Sequence, residues 1–259
     1  MCTLTLAWRV FEDAPVVVAA NRDELLDRAS EPPAVRAGDP PVVAPRDAEA
    51  GGTWIGYNAA GVFAGVTNRW VDVPGGGERS RGLLVRDVLE SRSAEAAREL
   101  VEDAVAADTY DGFNLVVAER MPTDRDGTTA PPTAYLFEWD GDLRVRELDP
   151  GVHVVVNVGV NGESLDSTRP ERASEQANDA ERVREALAPR PGESASGWRD
   201  RAADVLGDHE YGVCIHRPDR GFGTRSSSLL TLYSDGDADM EFADGPPCET
   251  AFRPVEGQI

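Results

Sequence analysis

The sequence predicts an α+β fold, and three observations support this prediction. Strand-like segments come first, a long helical segment follows, and further strands, helices and strands complete the chain. Hydrophobic residues make up 41% of the 259 residues, which suffices for a sizeable core. The 188–197 stretch is rich in Pro, Gly and Ser but indicates only a connector, so we expect one domain over residues 1–259.

Two hairpins are predicted in the first part of the chain. Residues Cys2–Trp8 alternate and predict a strand, and the continuous Val/Ala run Pro15–Ala20 predicts a buried strand that pairs with it. Residues 30–52 are rich in Pro, Gly and Asp and predict mostly ordered loop, with one short strand at Val42–Ala44. The second hairpin joins strands at Thr53–Tyr57 and Val62–Thr67 through a turn at Asn58–Gly61.

Helical periodicity marks three later stretches. Apolar residues recur near a period of 3.6 from Leu83 to Ala107, with a predicted break at Ser91–Ser93. Two further helices are predicted at Arg169–Leu187 and Gly197–Leu206. Short apolar runs predict the remaining strands at Phe113–Glu119, Ala134–Trp139, Leu143–Leu148, His153–Val158, Tyr211–His216, Ser227–Tyr233 and Met240–Ala243.

Charge is the most distinctive feature of the composition. The chain carries 26 basic and 47 acidic residues, for a formal net charge of −21, and every basic residue is Arg. Such a surface repels phosphate backbones and anionic lipids, so we expect no nucleic-acid or membrane partner. The acids are dispersed from Glu12 to Glu256, which favours adaptation to a very salty cytoplasm, as in halophilic archaea, over a dedicated cationic partner.

Targeting and metal signals are weak in this sequence. No apolar run approaches the roughly 18 residues of a membrane-spanning helix, and the first ten residues lack the pattern of a secretory signal. We therefore expect a cytoplasmic protein without a membrane span. The three cysteines and three histidines are scattered, so we expect neither a disulfide framework nor a metal site from Cys2, Cys214, Cys248, His153, His209 and His216.

Cys2 is the first candidate for covalent chemistry. Removal of Met1 would place a thiol and a free α-amine on this one residue. The amine has an ordinary pKa near 7.7–8.0 and the thiol one near 8.5, so the amine can accept the thiol proton. The alternative is that Cys2 is an ordinary small residue buried in the first strand.

Polar residues at the ends of two predicted strands are further candidates. The segment Asn21–Glu24 ends the second strand, beside the chain start if the first two strands pair. There, Asp23 could hold the α-ammonium group and Arg22 could hold a thiolate or an anionic substrate. The alternative is a polar turn that caps a helical turn at Leu25–Arg28. The amide of Asn68, where a later strand stops, could stabilise an oxyanion or simply cap the strand.

Three more polar residues interrupt apolar segments. Asn114 and Asn157 lie within predicted core strands, where an amide needs hydrogen-bond partners, so each is either structural or part of a site. Arg225 stands among hydroxyl residues and could bind a carboxylate or phosphate. In a chain this acidic, an ion pair within the protein is the alternative for Arg225.

Together these motifs resemble the NRDE family, which includes the Transport and Golgi Organisation protein two homologues. That family is similar to cysteine N-terminal-nucleophile hydrolases, which implies a four-layer αββα sandwich with the nucleophile on the first strand. The resemblance covers nearly the whole chain and rests on Met1-Cys2-Thr3, Asn21-Arg22-Asp23-Glu24, Gly51-Gly52-Thr53-Trp54-Ile55-Gly56, Thr67-Asn68, Gly112-Phe113-Asn114-Leu115 and Gly223-Thr224-Arg225-Ser226-Ser227.

The resemblance also implies roles for individual residues. Cys2 corresponds to the nucleophile, Asp23 to an aspartate that contacts it, and Asn68 and Asn157 to the two amides of the oxyanion site. Arg22 lies two positions from the catalytic arginine of the acylases. We expect the Cys2 sulfur to lie within about 4–6 Å of Asp23 or Arg22. Arg225 corresponds to a late active-site arginine, and we expect Asn21, Asn114 and Arg225 to bind substrate.

Two functions are compatible with this resemblance. The first is a cofactor-free hydrolase that cleaves a linear amide bond, a C–N bond other than a peptide bond, with Cys2 as nucleophile. The alternative is a non-catalytic carrier of haem, acyl-CoA or lipid in the same cleft, with Cys2 as haem ligand and His153 or His216 assisting. A hydrolase needs Cys2 as its first residue, whereas a carrier could retain Met1. The partner is a small molecule in both cases, and the sequence leaves the oligomeric state open.

Overall fold

Two antiparallel sheets lie face to face in the computed structural model, which describes residues 2–120, 131–163 and 166–259. In chain order the strands are β1 (Thr3–Trp8), β2 (Val16–Leu25), β3 (Ser30–Arg36), β4 (Val42–Asp47), β5 (Ile55–Asn58), β6 (Val62–Asn68), β7 (Phe113–Glu119), β8 (Ala134–Trp139), β9 (Leu143–Glu147), β10 (Gly151–Val156), β11 (Gly159–Val160), β12 (His216–Arg217), β13 (Phe222–Leu232), β14 (Ala238–Ala243) and β15 (Arg253–Pro254). The α-helices are α1 (Arg81–Val88), α2 (Ala94–Ala107), α3 (Pro170–Ala186) and α4 (Ala195–Gly207).

The two sheets differ in how the chain builds them. The first has the strand order β11-β10-β1-β2-β13-β14-β15, with β12 paired to β13. At its centre, β1 and β2 from the start of the chain lie beside β13 from the last quarter of the chain. The second has the order β3-β4-β5-β6-β7-β8-β9, a meander of sequential neighbours. The sheet that contains Cys2 and Asp23 therefore depends on long-range pairing.

Three apolar clusters define four layers. The first cluster fills the space between the sheets, where Leu6 and Val18 of the first sheet meet Phe63 of the second. The second cluster packs α3 and α4 on the outer face of the first sheet, and the third packs α1 and α2 on the outer face of the second. This is the αββα sandwich that the resemblance implies.

Burial on both faces explains the apolar runs of the central strands. In β2, Val16 and Val18 belong to the cluster between the sheets, whereas Val17 and Ala19 face the helices. Successive side chains of a strand point to opposite faces, so a strand with both faces covered needs an apolar residue at every position. The hairpin predicted from Cys2–Trp8 and Pro15–Ala20 is confirmed, with Thr5 paired to Ala19.

Two predicted local features are confirmed. The hairpin around Asn58–Gly61 pairs Tyr57 with Phe63. The helix predicted from Leu83 to Ala107 breaks where expected, and α2 begins after Ser93, whose hydroxyl accepts the N–H of Ala96 at 3.1 Å. A serine in this position satisfies a donor that the first helical turn leaves unpaired.

Three predicted elements are wrong. Asn21–Glu24 is neither a turn nor a helix cap, because β2 continues to Leu25 by pairing with β13. Residues 30–36 form β3 rather than loop, an exposed edge strand whose pairing with β4 is interrupted between Glu31 and Ala34, where its prolines lie. The strand predicted at Tyr211–His216 is instead a short 3-10 helix, His209–Tyr211, followed by Gly212 at a φ of 69° and then β12.

A glycine contact places the start of α1 against the second sheet. A Cβ on Gly52 would lie 2.2 Å from the backbone carbon of Gly82, so only glycine permits this approach. The N–H of Thr53 donates to the Gly82 carbonyl at 2.9 Å and holds the two segments together. This contact sets Arg81, the first residue of α1, at the rim of the cleft described below.

Length and hydropathy bear on membrane insertion. Within residues 2–120, 131–163 and 166–259, no helix is long and apolar enough to cross a membrane.

Candidate functional site

A cleft of about 570 Å³ opens where β1 begins and β6 and β10 end. Four of the predicted site residues line it: Cys2, Asp23, Asn68 and Asn157. A smaller chamber of about 160 Å³ shares Cys2, Asp23 and Asn68 with the cleft and adds Arg22. The topology therefore brings together residues that are far apart in the sequence.

Cys2 is held at both its backbone and its side chain. Its backbone nitrogen donates to Asn157 Oδ1 at 3.0 Å, and its Sγ donates to the carbonyl oxygen of Asp23 at 3.6 Å. The next residue, Thr3, pairs with Val156 on one side and Asn21 on the other, so β1 enters the middle of the sheet at once. Cys2 as a whole residue is half-buried beside the cleft, and Met1 lies outside the described residues.

Asn157 joins the ends of the two sheets. Its Nδ2 donates to the Asn68 carbonyl at 2.6 Å, across from the first sheet to the second. Its Oδ1 accepts both the Cys2 nitrogen and Gln176 Nε2, the latter at 3.0 Å. These bonds fix the amide beside Cys2. The exposed side chain of Asn68 lines the cleft next to it.

Asp23 takes part in a chain of hydrogen bonds across the first sheet. Thr224, its partner in β13, donates from Oγ1 to Asp23 Oδ1 at 2.6 Å. The same hydroxyl accepts the backbone N–H of Ile215 at 2.9 Å. Burial raises the pKa of the Asp23 carboxyl, and the Thr224 hydrogen bond opposes that shift.

Arg22 forms the wall of the smaller chamber. Its guanidinium lies 4.1 Å from the ring centroid of Trp54, and it forms ion pairs of 3.7 Å with Glu24 and 3.8 Å with Asp47. Burial lowers the pKa of Arg22, while Glu24 and the Cys2 thiol act in the opposite direction. An arginine remains a cation under these conditions, so Arg22 supplies fixed positive charge near Cys2.

The electrostatic environment favours the protonated form of the Cys2 thiol. Burial raises the pKa of the Cys2 thiol, and the Asp23 carboxyl adds to the effect. The Arg22 guanidinium and the hydrogen bond to the Asp23 carbonyl lower that pKa but do not outweigh burial. Efficient use of this sulfur as a nucleophile therefore requires a nearby base.

The residues predicted to bind substrate have structural partners instead. Asn21 borders the smaller chamber, but its Nδ2 donates to the carbonyls of Leu206 and Val213, at 3.0 and 2.9 Å. Asn114 is buried and donates to the Val156 carbonyl at 2.8 Å, which ties the two sheets together.

Arg225 also lies outside the cleft. The pairing of β13 with β2 skips Arg225 through a bulge between Thr224 and Ser226. Its guanidinium pairs with Asp244 at 2.6 Å, which is the alternative weighed for it from the sequence. The prediction that Asn21, Asn114 and Arg225 bind substrate therefore gains no support from their positions.

Three residues of the site have no individual role in the sequence predictions: Arg81, Gln176 and Thr224. Gln176 falls on the helix face of α3 that also buries Ala173, Ala177 and Ala180, and a glutamine on an apolar face is a signal that the sequence offers. Arg81 lines both cavities, and burial lowers its pKa. No local pattern distinguishes Arg81 from a structural residue, whereas Thr224 stands within the motif Gly223-Thr224-Arg225-Ser226-Ser227, in which only Arg225 was given a role.

The expectation that histidines and cysteines are scattered is wrong for four residues, His209, Cys214, His216 and Cys248, which cluster beside the cleft. The remaining histidine, His153, donates from Nε2 to the Asp149 carbonyl at 2.8 Å. Within the described part of the chain, neither His153 nor His216 lines the cleft or the smaller chamber. The suggested haem-ligand role of these two histidines therefore gains no support from their positions.

Solved structures share this architecture. The chain is similar to penicillin V acylase from Agrobacterium tumefaciens, with a TM-score of 0.50 and 14% identity over 99% of this chain and 98% of that chain. It is also similar to the Caenorhabditis elegans ortholog of N-acylethanolamine-hydrolyzing acid amidase, with a TM-score of 0.53 and 14% identity over 88% of this chain and 92% of that one. At such identities the likeness shows the fold.

Sequence comparison places the chain more closely. It is 27% identical over 240 residues to the Transport and Golgi organization protein 2 homolog of Bos taurus, covering 85% of this chain and 83% of that protein. The human homolog is 25% identical over 241 residues, with the same coverage of 85% and 83%. The model of the family Transport and Golgi organisation 2 matches residues 1–244, and the chain belongs to this family.

Proposed function

We propose that this protein is a cysteine hydrolase of the N-terminal-nucleophile type that cleaves a linear amide bond with Cys2. The observation that carries the proposal is the position of Cys2, whose nitrogen bonds to Asn157 and whose sulfur bonds to the Asp23 carbonyl beside a cleft. The two similar solved structures described above are named as an acylase and an amide-hydrolysing amidase, and both have this fold.

The base is the α-amino group of Cys2 itself. Once the preceding residue is removed, the amine remains beside Asn157 Oδ1, which already accepts from that nitrogen at 3.0 Å. An α-amine with an ordinary pKa near 8 can take the proton of the neighbouring thiol. This arrangement meets the need for a base that follows from the buried, protonated thiol.

The reaction has two balanced steps. The sulfur attacks the amide carbon, the C–N bond breaks, and the leaving amine takes the proton held by the α-ammonium group, which leaves a thioester on Cys2. Water then attacks the thioester, releases a carboxylic acid and restores the thiol. Oxyanion stabilisation falls to the Asn68 amide and to the second N–H of Asn157, whose first N–H is used by the Asn68 carbonyl.

The lining of the cleft suggests a small substrate with an anionic group. A volume of about 570 Å³ suits a drug-sized molecule. Trp70, Ile215 and Phe222 supply apolar surface. In a chain of net charge −21, the cleft contains five arginines, Arg69, Arg81, Arg169, Arg172 and Arg217, beside six carboxylates, Asp23, Glu24, Asp72, Asp111, Glu175 and Asp179. Arg69 is paired with Asp140, whereas the other four arginines form no ion pair within the described residues. We therefore propose an N-acyl compound that carries a carboxylate or phosphate.

The same arginines favour the carrier alternative when its ligand is an acyl thioester with phosphate groups. Arg169 lies 5.0 Å from the ring centroid of Trp70, a pair that could hold an aromatic or anionic headgroup. A carrier needs no free amine at Cys2, so processing of the chain start separates the two functions.

The test compares two forms of one protein. An N-terminal tag blocks the Cys2 amine, and a site-specific protease then releases a chain that begins with Cys2, as verified by intact mass. Each form is incubated with a panel of N-acyl amides that includes penicillin V and N-acylethanolamines, and the release of amine is measured. Cys2→Ser in the released form is the matched control for the sulfur.

The hydrolase predicts amine release only from the released wild-type chain, with a transient acyl adduct on Cys2 in the mass spectrum. Equal binding of an acyl thioester by both forms, without adduct or amine release, would instead support the carrier.

A further inference from the structure

Four side chains with metal-binding atoms meet beside the cleft. His209, Cys214, His216 and Cys248 each offer one ligand atom, and these atoms all lie within 4.8 Å of one another. The residues come from three separate segments, namely the 3-10 helix at 209–211, the segment that leads into β12, and the turn at 246–250. Cys214 is buried and the other three are exposed.

The spacing of three of these atoms fits a tetrahedral ion, and the fourth, from His209, lies within reach of the same centre. Cys214 Sγ lies 3.5 Å from Cys248 Sγ, and His216 Nε2 lies 3.5 Å from Cys214 Sγ and 3.1 Å from Cys248 Sγ. With Zn–S bonds near 2.3 Å and Zn–N bonds near 2.0–2.1 Å, tetrahedral geometry requires ligand separations of about 3.5–3.8 Å. The three separations among Cys214, His216 and Cys248 depart from this range by about 0.4 Å or less, and the His209 nitrogen lies within 4.8 Å of all three atoms.

The donor types narrow the choice of metal. Two thiolates and two imidazoles are the donor set of structural zinc sites, whereas Mg²⁺ and Ca²⁺ prefer oxygen ligands. A disulfide between Cys214 and Cys248 is the competing arrangement, but it needs a sulfur separation near 2.05 Å and would leave both histidines unused.

We propose that His209, Cys214, His216 and Cys248 bind one Zn²⁺ ion with a structural role. This proposal does not depend on whether the cleft is catalytic. The ion would tie the turn at 246–250 to the segment around Ile215, which lies between two of the ligands. A search for closely spaced Cys and His ligands in the sequence does not find this site, because Cys248 follows His216 by 32 residues.

The ion would also steady one wall of the candidate active site. Ile215 lines the cleft, and its N–H donates to Thr224 Oγ1, the hydroxyl that bonds to Asp23. The Thr224 N–H returns a bond to the Ile215 carbonyl at 2.8 Å. Gly223 permits this contact, since a Cβ there would lie 2.7 Å from the Ile215 carbonyl oxygen. Zinc at this cluster therefore acts on the backbone that positions Thr224.

The first experiment measures bound metal in the full chain. Protein produced with Zn²⁺ in the medium is exchanged into metal-free buffer and analysed by elemental analysis and native mass spectrometry. We expect one zinc per chain in wild type and in two controls outside the cluster, Cys2→Ser and His153→Gln. We expect loss of zinc in Cys248→Ser and at least about tenfold weaker binding in His209→Asn, an exposed position where folding is not at risk.

The second experiment tests the geometry without relying on a variant. Chelated wild-type protein is titrated with Co²⁺, and a tetrahedral site with two thiolates gives intense visible bands and a thiolate-to-cobalt charge-transfer band. Chelation should also lower the melting temperature of wild type, and one equivalent of Zn²⁺ should restore it. In Cys248→Ser, we expect no thiolate-to-cobalt band of this intensity, and neither chelation nor added Zn²⁺ should change the melting temperature.

Three results would overturn the proposal. One is wild-type protein without zinc that is two hydrogens lighter because of a Cys214–Cys248 disulfide. Another is Cys248→Ser that binds zinc as tightly as wild type. The third is Co²⁺ bound without the spectrum of thiolate ligation.

Discussion

The hydroxyl of Thr224 is the most informative atom to remove from the site. Thr224→Val keeps the shape of the side chain but deletes the bond of 2.6 Å to Asp23 Oδ1 and the bond of 2.9 Å from the Ile215 N–H. Thr224 is buried, with 1% of its surface exposed, so water cannot replace either bond without structural change.

The size of the effect follows from these two bonds. A buried N–H without an acceptor costs about 1–3 kcal/mol, and a hydrogen bond to a charged group contributes about 1.5–3 kcal/mol. Burial of the threonine hydroxyl has its own cost, which valine avoids. We therefore expect Thr224→Val to lower the free energy of unfolding by about 2–4 kcal/mol near neutral pH.

The effect should depend on pH in a defined direction. Burial raises the pKa of Asp23, and the Thr224 hydrogen bond opposes this, so the valine variant should have a still higher folded-state pKa. A carboxyl whose folded pKa lies above its unfolded value of about 3.9 destabilises the fold as pH rises through that interval. The cost of Thr224→Val should therefore be larger at pH 7 than near pH 4.

Urea unfolding at both pH values provides the measurement, with two comparison variants. Thr224→Ser keeps the hydroxyl and should retain most of the stability. Ser226→Ala removes a hydroxyl from the same strand that has no hydrogen-bond partner in the described parts of the chain, and it should change the free energy of unfolding by less than about 0.5 kcal/mol. Equal losses for Thr224→Val and Ser226→Ala, or a loss that grows toward pH 4, would refute the reasoning.

Three other predictions concern the nucleophile, its amide partner and the charge of the surface. Alkylation of Cys2 in the tag-blocked chain should begin at higher pH than that of an ordinary thiol, because burial raises its thiol pKa. Release of the α-amine, whose ordinary pKa is about 7.7–8.0, should move the onset to lower pH, and identical pH profiles would exclude the amine as base. Gln176→Leu should slow the alkylation of released Cys2 and lower the free energy of unfolding in urea by about 1–2 kcal/mol, because Asn157 Oδ1 loses one donor. Gln176→Asn should not restore either property, because its shorter side chain does not reach Asn157. Dialysis from molar salt to about 0.05 M should lower the melting temperature as screening recedes, and an unchanged melt would contradict the salt-adaptation hypothesis.

The local sequence determined those elements whose contacting residues lie close to one another in the chain. The hairpin at Asn58–Gly61 and the break between α1 and α2 depend on a turn and on a serine cap, and both are visible within a few residues. The apolar run of β2 likewise predicts burial on both faces without knowledge of what covers them. In the site, Cys2, Asp23 and Asn68 could be named because their motifs resemble a known family, and Asn157 because an amide there interrupts an apolar strand.

Long-range contacts decided the rest. Whether Asn21–Glu24 forms a turn or a strand depends on β13, which lies about two hundred residues later, as the separation of 201 between Asp23 and Thr224 shows. The cluster of His209, Cys214, His216 and Cys248 also depends on a long-range contact. Cys248 lies near the other three residues because the turn at 246–250 packs against the end of α4.

The sequence by itself therefore determined the fold class, the apolar strands and the net negative charge, because these follow from composition and from periods of two and 3.6 residues. Only the tertiary structure decided which polar side chains meet: Gln176 with Asn157, Thr224 with Asp23, and two histidines with two cysteines. The physical reason is that a hydrogen bond or a metal site depends on separations of a few ångströms between atoms, and strand pairing across the whole chain sets those separations.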